Sequence, residues 1–195
     1  AFESSEVFAP FNAKFDAYLL GQAELTAREA EGFAIFKDPE RGNCIACHVG
    51  KEDSRTPRDW LFTDFTYDGL GTPRNRAIPP DPAKEHFDPG LCRRPGLAEA
   101  APKDFAVDSV CGAFKVPTLR NIAVTAPYMH NGAFTSLRDA VAFYFTRDTN
   151  PRLWYPRGRD GRVMKFDDLP KAWQANVNTE EVPYDRKPGQ RPRAN

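Results

Sequence analysis

The chain has 195 residues, enough for one domain with elaborations and for a core that can enclose a prosthetic group. Lysine plus arginine and aspartate plus glutamate both number 27, so no global charge recommends nucleic acid or an anionic membrane as partner. No apolar run approaches the ~20 residues of a membrane-spanning helix. The chain opens at Ala1 with no signal-like segment, the expectation for a processed, soluble protein. Its 18 prolines are about twice the usual ~5 % and predict long ordered loops between few helices.

Phe11, Phe15, Tyr18 and Leu19 recur at i, i+4, i+7 and i+8 and predict a helix that stops at Gly21. Thr26 and Glu29 then form a capping box with Leu25 before it, and Ala30, Phe33, Ala34 and Phe36 carry a buried face up to Lys37. This second helix delivers the chain to Asn43-Cys44-Ile45-Ala46-Cys47-His48. Two thiols three apart with a histidine directly after form the attachment motif for c-type haem: the sulfurs become thioethers at one porphyrin edge and the imidazole binds the iron. The same Cys-x-x-Cys serves in half of a zinc site or in a redox dithiol. A zinc site would need a second close pair, whereas Cys92 and Cys111 lie 19 apart, and no βαβ pattern surrounds the motif as a thioredoxin-like dithiol requires.

From Lys51 to Val116 there is little periodicity. Trp60, Phe62, Phe65 and Tyr67 are haem-edge candidates, although plain core is the commoner role for such aromatics. Pro73 to Pro95 reads as loop, with His86 inside it as a weak ligand candidate. Cys92 and Cys111 are either two unrelated thiols or a disulfide that closes this region and stabilises it by about 3 kcal/mol on the chain-entropy model. A disulfide and covalent haem both point outside the cytosol.

Further on, Thr118 after Pro117 is expected to cap a short helix that Pro127 ends, and Asn131-Gly132 to form a turn. Ser136 with Asp139 at N3 starts another helix, whose stripe of Leu137, Ala140, Val141, Tyr144 and Phe145 turns Tyr144 inward. Asp168 to Trp173 begins a helical turn, with Trp173 a haem-edge or interface aromatic. The last ten residues form a basic tail with Arg186, Lys187, Arg191 and Arg193, more commonly solvated than a docking element.

The segments Leu25–His48, Leu61–Pro73, Phe114–Gly132 and Leu169–Arg186 together resemble the C-terminal haem domain of the bacterial di-haem cytochrome c peroxidase and MauG family. The most specific pieces are Val116-Pro117-Thr118-Leu119-Arg120-Asn121 and Thr125-Ala126-Pro127-Tyr128-Met129-His130-Asn131-Gly132. The resemblance implies a mostly α, cytochrome c-like haem domain with long ordered loops: a linker helix over 1–24, a haem-binding core over 25–150 and a loop-rich extension over 151–195. It further implies a periplasmic location, peroxide-dependent oxidation of a protein partner, and a second haem-bearing domain or chain. Two features depart from the family: one attachment motif in place of two, and no apolar helix after Pro188.

Alignment on Val-Pro-Thr-Leu-Arg-Asn puts the family's distal iron ligand at Tyr144, where peroxidases carry Met and MauG carries Tyr. Met129 is the rival, as the sulfur ligand of an electron-transfer cytochrome, followed by His130, Met164, His86 or an open site. The family's inter-domain calcium implies a site on the backbone carbonyls of Thr125 and Pro127. Arg120 and Lys115 are candidate propionate partners, because a buried carboxylate needs a charged mate. The functional expectation is an electron-transferring haem domain of a peroxidase or MauG-like oxidoreductase. A stand-alone mono-haem electron carrier is the alternative, and a haem-based ligand sensor ranks third.

Overall fold

Thr26 and Glu29 close the predicted box: Thr26 Oγ1 accepts from the Glu29 amide at 3.3 Å, and Glu29 accepts from the Thr26 amide at 2.8 Å. They start α2, Ala27–Lys37. The computed structural model describes residues 7, 9–79 and 87–179. His86 and the basic C-terminal tail lie outside them. The chain divides into two compact units, one of residues 1–64 with 117–121 and one of 65–116 with 122–195.

In the first unit, α1 covers Lys14–Leu19 and ends as predicted at Gly21, whose φ of +71° suits glycine. Phe11 is not part of it. At φ +47° it precedes the helix and stacks beneath Arg120 and Arg58. The buried residues of α1 are Leu19 and Asp16, a carboxylate only 1 % exposed. Asp16 caps its own helix by accepting from the Ala13 amide and binds the Arg120 guanidinium at 2.5 Å. That pairing compensates the burial of both charges.

No residue of α2 is fully buried. Ala30 and Ala34 are exposed, contrary to the expected face, because two methyl groups cannot cover a helix stripe. Phe33 and Phe36 instead reach into a ring cluster with Phe15, Trp60 and Phe62, with centroids 5.3 to 6.4 Å apart. Trp60, 2 % exposed, is its buried centre, as the core reading of this aromatic anticipates.

The second unit holds a two-stranded antiparallel sheet, β1 (Tyr67–Asp68) on β2 (Phe114–Lys115), with Tyr67 opposite Lys115. Phe65 and Tyr67 belong to no core: they are 59 % and 38 % exposed. Cys92 and Cys111 form the predicted disulfide, both buried. The segment it encloses contains a short helix, α3 (Leu97–Ala100). The short helix expected between Pro117 and Pro127 is one 3₁₀ turn, Ile122–Val124, and Thr118 does not cap it. Thr118 donates to the Leu61 carbonyl at 2.5 Å and accepts from the Arg120 amide, a local turn in place of a cap.

The predicted turn at Asn131-Gly132 is present, with Gly132 at φ +66° and an antiparallel bridge between Tyr128 and Phe134 around it. Helix α4 spans Leu137–Thr146, capped by Ser136 on the Asp139 amide as expected. Its buried face is Ala140 and Phe143, continued by Arg147, so the inward stripe is rotated toward Phe143 and leaves Val141 48 % exposed. The core here comprises Tyr128, Phe134, Ala140, Phe143 and Tyr155, with Met129 and Tyr144 packed against it, partly buried.

Arg147 is 0 % exposed yet fully engaged. It forks onto Asp148 at 2.9 and 2.7 Å and donates to the carbonyls of Leu70 and Asn178. Nothing in the local pattern announces this buried cation. Beside it, Tyr155 donates to the Gly71 carbonyl, and burial holds its hydroxyl well above the usual phenol range. Among the described residues no helix is long and apolar enough to cross a membrane.

Candidate haem site

The attachment motif lies in the first unit, on the turn that follows α2. Gly42 brings the chain against that helix: a Cβ there would lie 2.3 Å from the Ile35 carbonyl oxygen. Asn43 then turns at φ +50°, and Cys44–Ala46 wind into one 3₁₀ turn, with the His48 amide donating to the Cys44 carbonyl at 2.9 Å. Cys44 and Cys47 are not disulfide-bonded.

His48 carries the most informative contact. Its Nδ1 lies 3.0 Å from the carbonyl oxygen of Phe62. A carbonyl can only accept, so the proton sits on Nδ1 and the lone pair on Nε2, the arrangement an iron-ligating imidazole needs. Phe62 is at φ +55°, and the Asp64 amide bonds back to the Cys47 carbonyl at 3.0 Å, which ties the acceptor segment to the motif. The residues present therefore fit covalent haem. The acceptor is a main-chain atom, which explains why no side-chain pattern pointed to it.

Among the described residues the one grouping of His, Cys, Asp or Glu close enough to hold an ion is Cys92, Asp108 and Cys111, and its two sulfurs are joined to each other.

Arg120, a candidate propionate partner, belongs to the same unit. Besides Asp16 it donates to the carbonyls of Trp60 and Pro57, so most of its fork serves the protein itself. Lys115, in the second unit, donates to the Val116 carbonyl and sits 4.7 Å over the Phe65 ring.

The distal candidates are all in the second unit. Tyr144 is half-buried on α4, its ring edge-on to Phe143 at 6.3 Å. Met129 is half-buried at φ +70° in the turn before Gly132. The ring of His130 is flat against Phe114 with centroids 3.5 Å apart, its Nε2 is 3.3 Å from Asp168 and its Nδ1 3.5 Å from Thr72 Oγ1. Both of its nitrogens thus have protein partners. Met164 is 50 % exposed. Thr125 and Pro127, the calcium candidates, lie on an exposed stretch. Trp173 is half-buried in a 3₁₀ turn over Lys171–Asn176.

A Cys-x-x-Cys-His turn whose histidine is oriented by a carbonyl, among helices and little sheet, defines a c-type haem protein. No protein-family profile matches the chain. Comparison with curated proteins finds the methylamine utilization protein MauG of Paracoccus denitrificans, 38 % identical over 146 residues, covering 74 % of this chain and 35 % of that protein. The cytochrome-c peroxidase IdrP1 of a Pseudomonas species is 33 % identical, covering 67 % of this chain and 34 % of that protein. Among solved structures, the diheme peroxidase BthA from Burkholderia thailandensis superposes with a TM-score of 0.82 at 43 % identity, covering 96 % of this chain and 43 % of that one. The chain belongs to the di-haem cytochrome c peroxidase and MauG family. It spans about a third of the length of the curated relatives it matches.

Proposed function

We propose that this chain is the C-terminal, electron-transferring haem domain of a di-haem peroxidase or MauG-like oxidoreductase that works in the periplasm on a protein partner. The observation that carries the reading is the proximal set: two thiols at the attachment spacing and, directly after them, His48 with its Nδ1 oriented by the Phe62 carbonyl. The relatives give the direction, since the solved diheme chain is more than twice as long and this chain carries one attachment motif. A second haem then belongs to another part of the assembly.

Haem c, when bound, supplies one-electron chemistry. The chain holds it through Cys44 and Cys47, fixes the imidazole tautomer at His48, and offers Tyr144 as the distal oxygen donor. A phenolate stabilises ferric iron, whereas the rival thioether of Met129 favours ferrous iron. Tyr144 is favoured by its position on α4 against the core, and His130 is disfavoured because Asp168 and Thr72 occupy its nitrogens. Lys115 and the remaining donors of Arg120 neutralise the propionates. Calcium, where bound, would be held in part by the backbone carbonyls of Thr125 and Pro127, oxygen donors suited to a hard cation.

The test is the ferric optical and EPR spectrum of the haem-loaded chain, before and after hydrogen peroxide. An oxygen-ligated spectrum that peroxide alters supports the proposal. A far-red sulfur-to-iron band that peroxide leaves unchanged overturns it in favour of the stand-alone electron carrier, the reading that the single attachment motif keeps in view.

A further inference from the structure

The 27 basic and 27 acidic residues balance over the chain, but not over 151–163, where Arg152, Arg157, Arg159 and Arg162 meet one acidic residue, Asp160, and no lysine. All four arginines are exposed, Arg162 with 89 % of its side chain in solvent. They are not on a loose loop. Arg157 and Val163 pair as an antiparallel bridge, the Gly158 amide donates to the Arg162 carbonyl at 2.8 Å, and the Met164 amide donates to the Pro156 carbonyl at 2.8 Å. Asp160, its side chain 61 % exposed, accepts from the Arg162 amide at 3.0 Å. Its ion pair with the Arg162 side chain, at 3.7 Å and largely exposed, does little to cancel the field.

Two further features distinguish this hairpin from an ordinary solvated charge run. Leu153, next in sequence to Arg152, has 60 % of its surface exposed. Directly behind it, Trp154 packs edge-on to Phe143 at 5.7 Å, and Phe143 meets Tyr144 at 6.3 Å. Trp154, two residues after Arg152 and three before Arg157, is thus linked by ring contacts through Phe143 to the proposed distal ligand.

We infer that the arginine hairpin is the docking surface for an acidic face of the redox protein with which this chain exchanges electrons, an inference that rests on the electron-transfer reading above. Arginine beside exposed apolar and aromatic side chains is the composition of a protein interface. Complementary charge across it steers encounter and raises the association rate. Nucleic acid and anionic membrane both call for a broader basic footprint than one hairpin on a chain of zero net charge.

The test uses the haem-loaded full chain, reduced and mixed in a stopped-flow instrument with oxidised plastocyanin of acidic surface. One electron passes from ferrous haem to cupric copper, and no bond or proton moves. The wild-type rate should fall at least about tenfold from low to high salt. The R157E/R159E variant should react about tenfold more slowly at low salt and lose that salt dependence. Both proteins should share one haem spectrum and one rate with 1,4-benzoquinone, a neutral oxidant. The milder R157Q/R159Q variant should fall between them.

A variant as fast as wild type at low salt overturns the inference, as does an equal slowing with benzoquinone. Binding to phosphatidylglycerol vesicles that the variant loses, with unchanged plastocyanin kinetics, assigns the hairpin to a membrane surface and also overturns it. If peroxide leaves the spectrum unchanged but the salt-dependent difference persists, the docking surface stands and the peroxidase reading falls.

Discussion

Asp16 and Arg120, 104 residues apart in sequence, form an ion pair at 2.5 Å with the carboxylate 1 % exposed. The carboxylate also caps α1, and the guanidinium also ties the carbonyls of Trp60 and Pro57. Removing either partner strands a buried charge. Asp16→Asn and Arg120→Met should each lower unfolding free energy by about 3 to 5 kcal/mol in denaturant titrations. The double variant should lose clearly less than the sum, and strict additivity would show that the two side chains act independently.

The distal assignment predicts an asymmetry between two substitutions. Tyr144→Met should bring a sulfur-to-iron band into the ferric spectrum of the haem-loaded chain and shift the potential in favour of the ferrous state. Met129→Leu should leave both unchanged. The opposite pattern would transfer the ligand role to Met129.

Gly50 is held against the Trp60 indole: a Cβ at this position would come within 2.0 Å of Cε3. Gly50→Ala must displace the ring at the centre of the aromatic cluster, two residues before the carbonyl that orients His48. The expected loss is about 1 to 3 kcal/mol in thermal or chemical unfolding, and a neutral outcome would mean that the cluster yields easily.

Glu29 titrates at about 2, lowered chiefly by its hydrogen bond from Lys14 and then by those from Thr26. Its folded value lies below the ordinary carboxylate value of 4.5. The stability it contributes is therefore present above that ordinary value and lost as pH falls toward 2. Melting temperatures of wild type and Glu29→Gln should differ near neutrality and converge in strong acid. A difference that does not change with pH would contradict the cap's electrostatic origin.

The Cys92–Cys111 disulfide closes a segment of sequence separation 19. Replacing both cysteines with serine should cost about 3 kcal/mol on the chain-entropy model. The haem spectrum should survive, because the attachment cysteines are a different pair. Loss of haem incorporation in that variant would instead mean that the disulfide is needed to build the site.

What was legible from sequence alone follows interaction range. The box at Thr26/Glu29, the Ser136 cap on the Asp139 amide, the turn at Asn131-Gly132 and the haem motif depend on residues within five positions, and each is written locally. The disulfide was legible because the haem motif accounts for the other two cysteines. Three features were hidden. The buried Arg147 finds its carbonyl acceptors at Leu70 and Asn178, far along the chain. The acceptor for His48 is a main-chain oxygen, which no residue type encodes. Phe143 displaced the expected face of α4 because its ring packs against Phe134 and Trp154, neighbours that helical periodicity does not register.

The five residues 117–121 belong to the first unit although the chain has by then spent residues 65–116 in the second. The two units are therefore interleaved, not strung in series. A fragment ending at residue 64 would keep Asp16 and lose Arg120, its counter-ion, while a fragment beginning at residue 65 would carry Arg120 away from its acceptors. Recombination with a single crossover between the units would not yield a working module at either end. A graft that keeps this ion pair has to carry residues 16 and 120 together.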